Sequence, residues 1–176
     1  MKKIHFLIFF ILFAGTFILN PSVTHSQNID WSQWDYLLGQ WTGDNSGEPG
    51  VGTGFFIFQK DLNNEILTRK SHTEFAAKIQ EPKAVHNDIM IIYPDKSGTP
   101  AKAIYFDNEG HVINYSITYE GNSIILTSEP MSDLSKVRFT YTKIDDNNVK
   151  MKFEISVTGQ PDAFKTYLEG SAHKEK

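Results

Sequence analysis

Of the 17 Lys and Arg residues in this chain only Arg69 and Arg138 are arginines, and each sits within a run of strand-forming residues. A guanidinium presents a planar fork of donors that matches a carboxylate or phosphate, so both are candidate anchors for an acidic group. His72, His86 and His111 fall on three separate strand-like runs. Imidazoles converging from three strands would suit zinc or copper. None of the three is paired at ligand spacing, although His86-x-Asp88 puts two donors on one strand face and Glu109-Gly-His111 straddles a turn. Without convergence they are strand-end histidines that hydrogen-bond to turns. Tyr115 and Tyr119 alternate with Ile113 and Ile117 in phase with His111. If that stripe faces inward, it forms an apolar pocket with a few polar handles, the usual make-up of a small-molecule site. If it faces outward, it is an aromatic stripe on a sheet, and the sequence leaves both orientations open.

Catalytic signatures are missing from the sequence. It contains no Gly-x-Ser-x-Gly elbow, no His-Glu-x-x-His, no P-loop and no dinucleotide fingerprint. Asp44, Glu48, Asp107, Glu109 and Glu154 are scattered through turns or beside lysines, where acids are ordinarily solvated. Binding is therefore the favoured class over catalysis, and no cofactor is implied.

The elements that must position these residues begin at Asp30, an N-cap with Gln33 three residues on. Trp31, Trp34, Leu37 and Leu38 recur at helical spacing before Gly39. So short a helix needs a larger body to pack against. All three tryptophans lie between 31 and 41, so the segment is expected to plug a barrel. From 51 onward GTGFFIFQ reads as a glycine-bent first strand. Further strand-like runs follow at 65–75, 86–93, 101–106, 111–119, 123–128, 137–143, 149–157 and 164–169, separated by turn chemistry such as Asp107-Asn108-Glu109-Gly110. The last residues read as a basic tail leaving the sheet. About ten strands at this spacing give an all-β protein. Links of hairpin length favour an up-and-down antiparallel closed barrel with a short N-terminal plug helix over a Greek-key sandwich.

Residues 1–26 stand apart. Lys2 and Lys3 precede an apolar run that Pro21 breaks, and Thr24-His25-Ser26 offers small residues to a signal peptidase. The expectation is an exported chain cut after Ser26, with 27–176 forming one domain and no membrane insertion after cleavage. With no cysteine there is neither a lipid-anchor cysteine nor a disulfide framework. Loss of Lys2 and Lys3 takes the net charge from −4 to −6, which argues against nucleic acid and an anionic membrane surface as partners.

The ordered segments LLGQWTG (37–43), LTRKSH (67–72), HNDIMIIYP (86–94), AIYFDNEGHVINY (103–115), RFTYT (138–142) and FEIS (153–156) resemble the calycin pattern of lipocalins and fatty-acid-binding proteins. They are closest to bacterial secreted lipocalin-like proteins of a domain family with no assigned function. The resemblance implies a barrel that holds a small hydrophobic molecule, with an interior arginine anchoring an acidic head group. On that model Arg138, beside Thr140 and Thr142, either lines the cavity or stacks on Trp41, as lipocalins close their barrel floor. Arg69 either enters the cavity or makes a surface salt bridge. The Thr-Asp-Tyr triplet of the second lipocalin motif is missing. The late runs at 149–157 and 164–169 carry no histidine, so the haem role of nitrobindin-like barrels is not expected to carry over. The expected function is a binding barrel using Arg69, His72, His86, His111, Tyr115 and Arg138. The alternatives are a metal-dependent protein or enzyme on His72, His86 and His111, or a solid-cored structural barrel.

Overall fold

The period-two alternation of the sequence becomes a single sheet closed on itself. The computed structural model describes residues 28–44, 52–75 and 84–176; the leader read at 1–26 lies outside the described residues. Ten strands follow in order: β1 Gly39–Gly43, β2 Gly52–Asp61, β3 Ile66–Phe75, β4 Ala84–Pro94, β5 Pro100–Asp107, β6 Val112–Glu120, β7 Ser123–Ser128, β8 Val137–Lys143, β9 Asn148–Val157 and β10 Gln160–Lys174. Each pairs antiparallel with its sequence neighbour, and β1 pairs with β10 to close the ring. Closure removes every exposed strand edge.

Two elements differ from expectation. The expected short plug helix is instead a turn followed by a single 3₁₀ turn over Asp35–Leu37, held by short-range bonds such as Leu37 N–H to Trp34 O at 2.8 Å. Asp30 accepts from Ser32 N–H at 3.0 Å, a local Asx turn, so it does not start an α-helix. Each tryptophan indole is drawn to a different partner, which so short a segment meets more easily as a tight turn. The second difference is at the chain end, where the strand expected at 164–169 runs on to Lys174 as half of the barrel seam. Gly170 and Ala172 are too small to show as apolar alternation. They belong to the sheet through backbone pairing with β9, and Ala172 is fully buried.

In an up-and-down barrel alternate turns fall at the same end, so the β2–β3, β4–β5, β6–β7 and β8–β9 turns share one rim. The segment before β1 crosses that rim. Asp30 N–H donates to Gly98 O at 3.3 Å, Trp31 Nε1–H to Asn64 O at 2.9 Å and Trp34 Nε1–H to Tyr119 Oη at 2.9 Å. Lys60 pairs with Asp35 at 2.8 Å, and Lys143 Nζ lies 5.4 Å from the Tyr36 ring. Beneath the segment Trp34, Leu37, Trp41, Phe58, Leu67, Ile92, Ile124 and Val149 are fully buried. This end of the barrel is solid.

Glycine at 54 has a steric reason. A Cβ there would meet His72 O at 2.6 Å, Thr73 Oγ1 at 2.8 Å and Thr73 Cα at 3.1 Å, and two of those three atoms are backbone. Gly54→Ala is expected to destabilise the fold by about 1–3 kcal/mol, read as a lowered urea midpoint with an unchanged slope.

Candidate functional site

Residues paired directly across antiparallel strands point to the same side of the sheet, so the register fixes which side chains enter the barrel. Phe58, Arg69, Met90, Tyr105 and Ile113 form one inward row through β2 to β6. Tyr115, Ser128 and Val137 continue inward on β6 to β8, with Leu126 and Phe139 one step further along. The stripe of His111, Ile113, Tyr115, Ile117 and Tyr119 therefore faces inward, and Asn114, Ser116 and Thr118 lie outside.

Exposure along the inward faces runs from one end to the other. Residues near the plugged rim are sealed. Toward the opposite rim Tyr105, Ile113, Phe139, Phe153 and Ile155 point inward yet are only half-buried. Among the described residues that gradient makes the end carrying the β5–β6, β7–β8 and β9–β10 turns the less sealed one, termed the mouth.

Arg69 lies between the solid end and the mouth. It is 8% exposed, with its guanidinium carbon 5.6 Å from the Phe56 ring and 5.5 Å from the Phe139 ring, a cation–π contact on two walls. Asp88 faces it with Nη1 to Oδ1 at 3.4 Å. The pair attracts but is not aligned as a hydrogen bond. Arg69 Nε, Asp88 Oδ1 and Tyr141 Oη are buried and find no hydrogen-bond partner among the described residues. Burial opposes the charge on Arg69, but the facing Asp88 carboxylate favours it, and the net direction is upward, so Arg69 stays a cation. Burial likewise pushes the Tyr115 and Tyr141 hydroxyls up, so both stay protonated.

A polar chain links this centre to the mouth. His86 Nε2 meets Tyr105 Oη at 2.9 Å and lies 3.7 Å from Asp88 Oδ2, while its Nδ1 meets Glu109 at 3.1 Å. Tyr105 O–H donates to Asp107 Oδ2 at 3.3 Å, and His111 Nδ1 meets the same oxygen at 2.8 Å. Burial pushes the Asp107 carboxyl up. Hydrogen bonds from the His111 backbone and ring and from the Glu109 N–H outweigh it, so Asp107 titrates below its ordinary 3.8. A depressed acid contributes stability above its unfolded pKa that is lost as pH falls through the folded value. The stability advantage of the native chain over Asp107→Asn should therefore shrink as urea titrations move below pH 3.8.

Not every candidate from the sequence joins this centre. Arg69, His86, His111 and Tyr115 do, but His72 does not. His72 pairs with Asn87 on the outer face, where its Nδ1 meets Asn87 Oδ1 at 2.8 Å. The three histidines therefore do not converge, and among the described residues no three His, Asp or Glu side chains are grouped to hold a metal ion.

Arg138 also points outward. Its Nε donates to Glu154 at 2.7 Å and its guanidinium covers the Phe164 ring at 4.1 Å. It neither enters the barrel nor stacks on Trp41, whose ring is met instead by Lys174 Nζ at 5.4 Å. With Thr118, Thr127, Thr140 and Lys152 it borders an external groove of about 580 Å³. Asp88, offered by the sequence only as a donor beside His86, and Tyr141, which it did not single out, are site residues whose phase was visible, since Asp88 shares a face with Met90 and Ile92, and Tyr141 with Phe139.

No protein-family model and no curated protein matches this chain. Among solved structures, the S-type phycobiliprotein lyase CPES from Guillardia theta is similar with a TM-score of 0.50 at 9% identity, over 81% of this chain and 90% of that one. EF1p2_mFAP2b bound to DFHBI gives a TM-score of 0.35 at 12% identity, over 80% of this chain and 95% of that one. At such identities the likeness to the lyase is one of fold, a closed antiparallel β-barrel.

Proposed function

We propose that this protein is a calycin-like binding barrel for a small, mainly apolar ligand, with the tail between Phe139, Phe153 and Ile113 and the head group at Arg69. The observation that carries the proposal is a buried guanidinium at mid-barrel whose Nε has no partner, beside two further unpartnered polar atoms. Buried polar groups are otherwise almost always satisfied, so three together mark a place where a ligand's polar end belongs. The half-buried aromatics between Arg69 and the mouth supply the apolar wall. A fold shared with a phycobiliprotein lyase is compatible with this and does not select it.

Native mass spectrometry of protein purified without denaturant, with displacement of an environment-sensitive dye by medium-chain amphiphiles, tests the proposal. A co-purifying small molecule or saturable one-to-one displacement is expected. No bound species and no dye binding would overturn it. We further propose export, with the leader removed after Ser26. Sequencing the mature N-terminus should begin at Gln27, and a chain retaining Met1 would refute this.

A further inference from the structure

Resting on that binding proposal, we infer that the head group this barrel selects is neutral and carries a donor beside an acceptor, as in a primary carboxamide or cyclic lactam, and is not a carboxylate. An interior arginine alone would favour an anion. Here the guanidinium already has its counter-ion, the Asp88 carboxylate at 3.4 Å. A ligand carboxylate at Arg69 would place a second anion within a few ångströms of the first, in surroundings that screen poorly. The route inward adds to this, because Asp107 and Glu109 stand at the mouth beside His111 and His86. A ligand anion would pass both carboxylates before it reached the Arg69–Asp88 pair.

The unpartnered atoms specify the complementary chemistry. Arg69 Nε–H needs an acceptor, Asp88 Oδ1 needs a donor, and the Tyr141 hydroxyl serves as either. A carboxylate has acceptors only and leaves Asp88 unanswered. An alcohol has one oxygen to face both partners. An amide presents its C=O and N–H on adjacent atoms, so one planar group can meet Arg69 and Asp88 together.

The test is dye displacement at pH 7.5 by dodecanamide against dodecanoate, on the native chain and on Asp88→Asn. The native chain is expected to bind the amide roughly ten- to a hundredfold more tightly, the range set by leaving a buried polar group unpaired. Asp88→Asn removes the resident anion, so the preference should reverse toward dodecanoate. Equal or tighter dodecanoate binding by the native chain would overturn the inference while leaving the binding barrel intact. Failure of both ligands and of the dye would overturn both. If Asp88→Asn does not fold, the ratio on the native chain decides alone.

Discussion

Arg69→Leu is expected to abolish ligand binding and to lower stability by about 3–5 kcal/mol, the cost of leaving one member of a buried ion pair without the other. The isolated group is Asp88, 7% exposed, with Arg69 as the cation facing it inside the barrel. A second substitution separates the two effects. Replacing both residues by leucine removes the charge that would be stranded, and buried pairs replaced by apolar side chains of similar volume often lose little stability. Arg69→Leu with Asp88→Leu should therefore recover most of the urea midpoint while dye displacement by amphiphiles stays absent. If the double variant were as unstable as the single one, Arg69 would act by packing between Phe56 and Phe139 and not by pairing with Asp88. If either variant bound ligand with native affinity, the head group would not lie at Arg69.

The second large effect is expected at the plug. Trp34 is 0% exposed, its ring lies 5.9 Å from that of Phe58, and its indole N–H donates to Tyr119 Oη. Tyr119 O–H in turn donates to Pro100 O, so a single side chain joins the crossing segment to β6 and the start of β5. Trp34→Ala should cost about 3–5 kcal/mol, as large-to-small changes at fully buried aromatics do. Trp34→Phe keeps most of the volume and loses the indole N–H, so its cost should be near that of one hydrogen bond, about 1 kcal/mol. Chemical denaturation with Tyr and Trp fluorescence measures both. A small loss for Trp34→Ala would mean that the crossing segment rests on the rim without holding it together.

Much of the fold was legible in the sequence because β-structure writes its geometry into alternation. The runs at 123–128 and 137–143 became β7 and β8 with the same bounds. Short turn-rich links dictated neighbour-to-neighbour pairing. The plug was legible as a cluster of tryptophans and illegible as a conformation, because a segment this short takes its shape from what it covers. The final strand was hidden for a similar reason. Gly170 and Ala172 contribute pairing and fit rather than apolar bulk, and their pairing with β9, joined by β1 from Ala172 onward, is what continues the chain as sheet.

By itself the sequence determined relative sides: Arg138 with Thr140 and Thr142 against Phe139 and Tyr141, and Asp88 with Met90 and Ile92. Alternation states which residues share a face but not which face is enclosed, nor which distant strands look at one another. Register between neighbouring strands decided that His72 looks away from His86 and that Arg69 on β3 has Asp88 of β4 and Phe56 of β2 on its own side of the sheet. Closure of the ring decided that this side is the enclosed one, so that Arg69 is caged and Arg138 is not, and it brought Phe139 of β8 across to the guanidinium. That last contact spans the inside of a ring and exists only once the ends of the sheet have met.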